Sequence, residues 1–215
     1  MAKNFAEIAF TTSVKAQQEQ CGSRQQYARM DRLARGTTLS LAETEFIAAR
    51  DSFYLATVGE TGYPYVQFRG GPPGFLRVLD AQTLGYADFR GNQQYITVGN
   101  LQQNERSALI LMDYANRVRL KIYAHIEVIN AKDRPDLMEK LLVPGYNAHP
   151  ERAMLLHVEA FDWNCPQHIT PRFTMEEIQA MNAPLYEHVA KLEAELTRLK
   201  AQTKESKPSC QSLSG

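Results

Sequence analysis

From residue 52 onward the apolar and polar positions alternate in short runs separated by turn residues. SFYLATV is followed by GETG, YPYVQFR by GGPPG, FLRVL by DAQT, and then LGYAD. Alternation over four to eight residues marks a half-buried strand, and clusters of Gly, Pro, Asn and Asp mark the turns between strands. The pattern therefore predicts an antiparallel meander. NQQYITVGNLQQN interrupts it with helical character, SALILMD, a YANR turn and VRLKIYAHIEVI resume it, and MLLHVEAFDW completes it. Roughly six such strands bury their apolar faces and limit exposed edges as a half-closed barrel. The expected fold class is mainly β (α+β), an antiparallel split β-barrel with flanking helices.

The helical segments read differently. Residues 13–34 are polar and free of proline, which predicts a solvated helix broken near Gly22 and Ser23. Ser40 followed three residues later by Glu43 is a capping-box pattern opening a short helix. RPDLMEKLL predicts a helix with proline in its first turn, and TMEEIQAM a short one. Leu185, Val189, Leu192, Leu196 and Leu199 then follow 4-3-4-3 spacing, the seam of a coiled coil. That stripe fits packing on the chain's own body or pairing with the same helix of a second copy. The divisions expected are a helical extension at 1–39, a barrel domain at 40–173, C-terminal helices at 174–203 and a disordered tail at 204–215.

Charge narrows the function. Twenty-four basic residues balance twenty-four acidic ones, so no net field draws the chain to nucleic acid or to an anionic membrane. No apolar run has the roughly 20 residues of a membrane helix, and no leader-like apolar stretch opens the chain, which predicts a cytoplasmic protein. Cys21, Cys165 and Cys210 are widely spaced and form no CxxC pair, so neither a disulfide framework nor a metal site is expected.

The candidate chemistry is cationic. In QFRGGPPG, Arg69 ends a strand at a turn of glycines and prolines; Arg90 follows the strand LGYADF just before the helical NQQYITVGN. A helix N-terminus offers free N–H groups, and arginines beside it suit a dianionic phosphate. Asn92, Gln93 and Asn100 add neutral donors and acceptors, and Arg119 and Lys121 share one face of their strand at period 2. Each arginine taken singly reads equally well as a member of a surface ion pair. FDWNCPQHITPRFT, after the last strand, crowds Trp163, Cys165, Gln167, His168 and Arg172 onto irregular backbone. His125, His149, His157 and His188 have no evident partner in the sequence.

These segments together resemble the flavin-mononucleotide-binding split barrels related to pyridoxamine 5′-phosphate oxidase. The similarity runs over residues 40–163 and rests on YPYVQFRGGPPGFLRVLD, LGYADFRGNQQYITVGNLQQNERSALILMD and RLKIYAHIEV. It implies FMN as cofactor, with Gln67, Phe68 and Arg69 against the ring and ribityl chain and Gly70 letting the backbone approach. Asp88, Arg90, Asn92 and Gln93 fall where the family has its phosphate-binding serine, arginine and lysine. RGNQ stands in place of that triplet, so the resemblance leaves Arg119 or Lys121 to supply the second charge. Trp163 and Arg172 are similar in order to the oxidase's C-terminal contacts, although the oxidase's substrate-binding ending is absent, which argues against pyridoxine phosphates as substrate.

The resemblance further implies a homodimer with the flavin between subunits. Three functions follow as expectations: an FMN-dependent oxidoreductase acting on a small substrate, with a nicotinamide (NADH or NADPH) or deazaflavin donor or with oxygen as oxidant, and Gln167, His168 and Arg172 addressing the substrate; a non-catalytic flavin or haem binder that signals through its C-terminal helix; or a dimeric coiled-coil adaptor whose barrel is empty.

Overall fold

The alternation of VRLKIYAHIEVIN builds strand β6 (Val118–Asn130). Leu120, Ile122, Ala124 and Ile126 are buried, and the residues between them face outward. The computed structural model describes residues 4–31, 37–163 and 166–205. Cys165, Cys210 and the tail from residue 206 lie outside the described residues. The chain divides into two compact units, Met1–Thr170 and Pro171–Gly215.

Seven strands form one antiparallel sheet. Besides β6 they are β1 (Ser52–Val58), β2 (Pro64–Gly70), β3 (Arg77–Asp80), β4 (Thr83–Phe89), β5 (Arg106–Asp113) and β7 (Pro150–Trp163), in the order β2-β1-β5-β6-β7-β4-β3. The expected strand at FLRVL is cut to four residues, because Phe75 and Leu76 turn into the core ahead of it. Among the described residues no ladder joins the edge strands β2 and β3, so the sheet curls without closing. The fold is a split barrel. Its interior holds Phe53, whose ring lies 5.7 Å from Phe75 and 5.5 Å from Tyr86, together with Leu55, Leu111, Leu120, Met154 and Leu156. Each such side chain contributes about 1.5–3 kcal/mol by leaving water.

Helices of the first unit flank the barrel, and the second unit holds one long helix. α1 (Phe5–Ala9), α2 (Thr12–Gln20) and α3 (Arg24–Asp31) precede it, with the break between α2 and α3 at Gly22, where φ is +73°. α6 (Pro135–Leu141) lies against β4, and Gly85 makes this possible: a Cβ there would sit 2.8 Å from Leu141. α7 is one continuous helix, Met175–Glu205, where the sequence predicted a short helix followed by a separate stripe; Pro184 lies inside it. No helix among the described residues is long and apolar enough to cross a membrane.

α4 (Leu41–Ala48) starts at the expected capping box, with Ser40 and Glu43 bonded reciprocally. Glu43 also accepts the Trp163 indole N–H at 2.7 Å, and Phe46 meets that indole edge-on at 4.7 Å, so Trp163 fastens the end of β7 to α4. Burial pushes the Glu43 carboxyl up, but the bonds from Ser40 and Trp163 outweigh it and hold the group below the ordinary glutamate value of 4.5. A carboxylate with a depressed native pKa stabilises fully above its unfolded value and loses that contribution as pH falls through the native one. Urea unfolding of Glu43→Gln is therefore expected to show a deficit on the order of 1–3 kcal/mol at pH 7 that shrinks below pH 4.5. A deficit that stays constant down to pH 3 would contradict this role.

Candidate functional site

Parity along β2 creates one wall of a cleft. Tyr65, Gln67 and Arg69 turn to the inner side, while Val66 and Phe68 turn out and are more than half exposed. Opposite stand Asp88 at the end of β4, Glu151 and Arg152 at the start of β7, and the loop Gly91–Tyr95 leading into α5 (Ile96–Gln103). The space between them is about 200 Å³.

Its floor is an ion network. Arg69 Nη1 donates to Asp88 Oδ1 at 2.8 Å, and Arg152 Nη1 donates to Asp88 Oδ2 at 3.0 Å. Arg152 also donates to Glu151 Oε2 at 3.1 Å, and Glu151 Oε1 accepts from Arg90 Nε at 3.0 Å. The Asp88 side chain is 6% exposed, those of Arg69 and Arg152 17% and 16%. Three guanidiniums meet two carboxylates, which leaves one positive charge on a site partly shielded from water. The Arg152 guanidinium lies over the Tyr95 ring, 4.8 Å from its centroid. The bond from Arg90, reinforced by the nearby Arg152 charge, holds Glu151 below the usual glutamate range.

Two buried polar atoms in this network remain unanswered. Arg69 Nε and the Tyr86 hydroxyl have no hydrogen-bond partner among the described residues. Arg69 also sits 5.9 Å from the centroid of the Tyr86 ring. Burial pushes the Tyr86 phenol up, against the pull of Arg69, so it stays protonated and able to donate.

Backbone geometry adds donors. Gln93 and Tyr95 adopt left-handed conformations, φ 60° and 52°, which side chains other than glycine rarely accept without compensation. Tyr95 is the N-cap of α5 and gives it no side-chain hydrogen bond. The first turn of α5 thus opens uncapped on the cleft, where Ile96, Thr97 and Val98 line it. Thr97 Oγ1 donates to Gln67 Oε1 at 2.7 Å, tying α5 to β2.

The structure brings Gln67, Arg69, Asp88, Asn92 and Gln93 to this cleft, with Arg90 at its rim. Asn92 accepts the Gln94 N–H and does not cap the helix. Other expected residues fall elsewhere. Phe68 is on the outer face of β2, and Gly70 ends that strand beyond the cleft lining. Asn100, one turn further along α5, donates to Thr57 at 3.0 Å and does not line the cleft. Arg119 and Lys121 belong to the outward-facing set of β6; Lys121 pairs with Asp162 at 3.2 Å and lies 4.7 Å from the Phe5 centroid, so it cannot supply the second charge here. Trp163 is engaged with α4. Gln167 and His168 are exposed on the turn after β7 and do not line this cleft, and Arg172 belongs to the second unit.

The second charge comes from Arg152, which the sequence reading missed because it begins the last strand two residues later than Arg152, at Met154, whereas β7 starts at Pro150. His125 does have partners: Glu105 and Glu159, each 3.1 Å from one ring nitrogen; His157 meets Glu127 at 3.3 Å. Among the described residues no group of His, Cys, Asp and Glu could hold a metal ion.

The family model for pyridoxamine 5′-phosphate oxidase matches residues 42–162. Among solved structures, a Clostridium acetobutylicum protein related to general stress protein 26, of the pyridoxinephosphate oxidase family, is similar at 19% identity, covering 64% of this chain and 95% of that one, with TM-score 0.43. An FMN-binding protein of Syntrophomonas wolfei is similar at 14% identity, over 68% and 97% of the two chains, TM-score 0.42. The HupZ protein of Group A Streptococcus shares 15% identity over 63% and 99%, TM-score 0.45. No curated protein matches the sequence.

Because Asp88 is the carboxylate that two largely buried guanidiniums share, Asp88→Ala is expected to destabilise the fold by about 3–5 kcal/mol in urea unfolding. A loss under about 1 kcal/mol, the scale of a surface pair, would show that the network is solvated and of little structural weight.

Proposed function

The chain belongs to the pyridoxamine 5′-phosphate oxidase family, and from that premise we propose that it is an FMN-dependent oxidoreductase holding its cofactor in the cleft between β2, β4, β7 and the first turn of α5. The observation that carries the reading is the pair Arg69 and Arg152, fixed in place by Asp88 beside an uncapped helix N-terminus. Side chains already held in position lose little rotamer freedom when an anion arrives, so the site is preorganised for one. Arg69 Nε, a buried donor without an acceptor, fits the same reading.

In this reading Arg69, Arg152 and the N–H groups of Ile96, Thr97 and Val98 hold the phosphate, and Gln67 and Tyr65 face the rest of the cofactor. Bound flavin supplies the redox chemistry, with NADH or NADPH as donor to a small substrate. The chain binds and orients it, and the residual positive charge of the network favours an anionic ligand. The proposal does not depend on Gln167, His168 or Arg172. A cytoplasmic homodimer is part of it: Val58, Tyr63, Val66 and Phe68 form an exposed apolar strip along β1, β2 and the turn between them, of the kind a second copy covers.

The purified protein is expected to be yellow, with a flavin absorption spectrum that NADH or NADPH bleaches without oxygen. Arg69→Ala, checked for folding by circular dichroism, should weaken cofactor retention by about 1.5–3 kcal/mol, roughly 10- to 150-fold. Unchanged occupancy in that variant overturns the phosphate placement. A flavin that no nicotinamide donor bleaches favours the binder over the enzyme, and a Soret band in its place favours haem.

A further inference from the structure

The continuity of α7 changes what its apolar positions mean. With Asn182 set at heptad position a, the a positions are Met175, Asn182, Val189, Leu196 and Thr203, and the d positions are Ile178, Leu185, Leu192 and Leu199. One frame therefore runs through the whole helix, upstream of the five-residue stripe. Leu185, Val189, Leu192 and Leu196 are 41–58% exposed, and Ile178 is 37% exposed. Pro184 falls at c, so the bond it removes from the Ala180 carbonyl is lost on the side away from the seam.

We propose that α7 pairs in parallel and in register with α7 of a second copy of this chain, forming a two-stranded coiled coil. Three features of the sequence in this frame select that occupant. A β-branched Val189 at a with leucines at d favours two strands. Asn182 is the amide inside the seam, with Thr203 the polar a residue at its end; only a parallel, in-register pair sets Asn182 against its own copy, amide to amide, whereas an antiparallel pair sets it against an apolar d residue. The flanking charges agree. In a parallel pair a g residue meets the e residue five positions on in the partner helix, which places Glu195 against Lys200 and His188 against Glu193. The seam is thus complementary to itself and needs no other protein. The inference rests on α7 alone and is independent of any cofactor.

The test is disulfide trapping in the full chain, with Cys21, Cys165 and Cys210 replaced by serine. Leu185→Cys and Leu192→Cys, both at d, are oxidised beside Ala194→Cys at the outward f position. Both d variants are expected to form covalent dimers more than about tenfold faster than the f variant, because pairing raises the local thiol concentration into the millimolar range. Parallel, in-register pairing brings each d residue to its own copy, so trapping at only one of the two sites overturns the arrangement. Equal rates at d and f overturn the pairing itself. A dimer made solely through the barrel leaves all three rates alike, and a far-ultraviolet circular dichroism spectrum matching that of the cysteine-free parent shows that each variant has folded.

Discussion

One carboxylate holds the barrel's split together. β2 is an edge strand and β4 lies next to the opposite edge, and no backbone ladder joins them among the described residues. The connection is made by side chains: Arg69 of β2 and Arg152 of β7 both bond Asp88 of β4. Burying this aspartate alone would be costly, as would burying either arginine without it. Folding the sheet to this curvature is what lets the three groups satisfy one another. The same contact leaves a net positive charge at the mouth of the split, beside the first turn of α5. Structure and candidate binding site thus share one interaction.

The two faces of the sheet follow from residue parity. Inward positions of β2 and β4 carry the polar groups of the cleft, and outward positions of β1, β2 and β6 carry Tyr54, Val66, Phe68, Lys121 and Tyr123. A cation on the wrong parity belongs to the other face whatever its neighbours in sequence. Lys121 illustrates this: it packs on Phe5 and pairs with Asp162, away from Arg69.

Most of the fold was legible because its strands alternate cleanly and its turns use Gly, Pro, Asn and Asp. The Ser40–Glu43 cap, the Gly22 break and the Pro135 helix start were legible as local chemistry. The site was legible in half. Arg69, Asp88 and the loop before α5 stand on one stretch of chain, so their proximity could be read from order. Arg152 is 64 residues from Asp88, and only the register of β4 with β7, which sets Asp88 opposite Arg152, brings them together. Left-handed Gln93 and Tyr95 carry no glycine to announce them, so the helix was expected to begin at Asn92 when it begins at Ile96. Trp163 stood at the flavin only through the resemblance to the oxidase's C-terminal contacts, and its indole serves α4.

The most direct measurement of the central claim is a crystal structure of the protein with its cofactor bound. The phosphate is expected within hydrogen-bond reach of Arg69 or Arg152 and of the N–H groups of Ile96 to Val98, with Asp88 still joining the two arginines. A phosphate seated on the outer face against Lys121 and Tyr123, with the Asp88 cleft left to water, would contradict it.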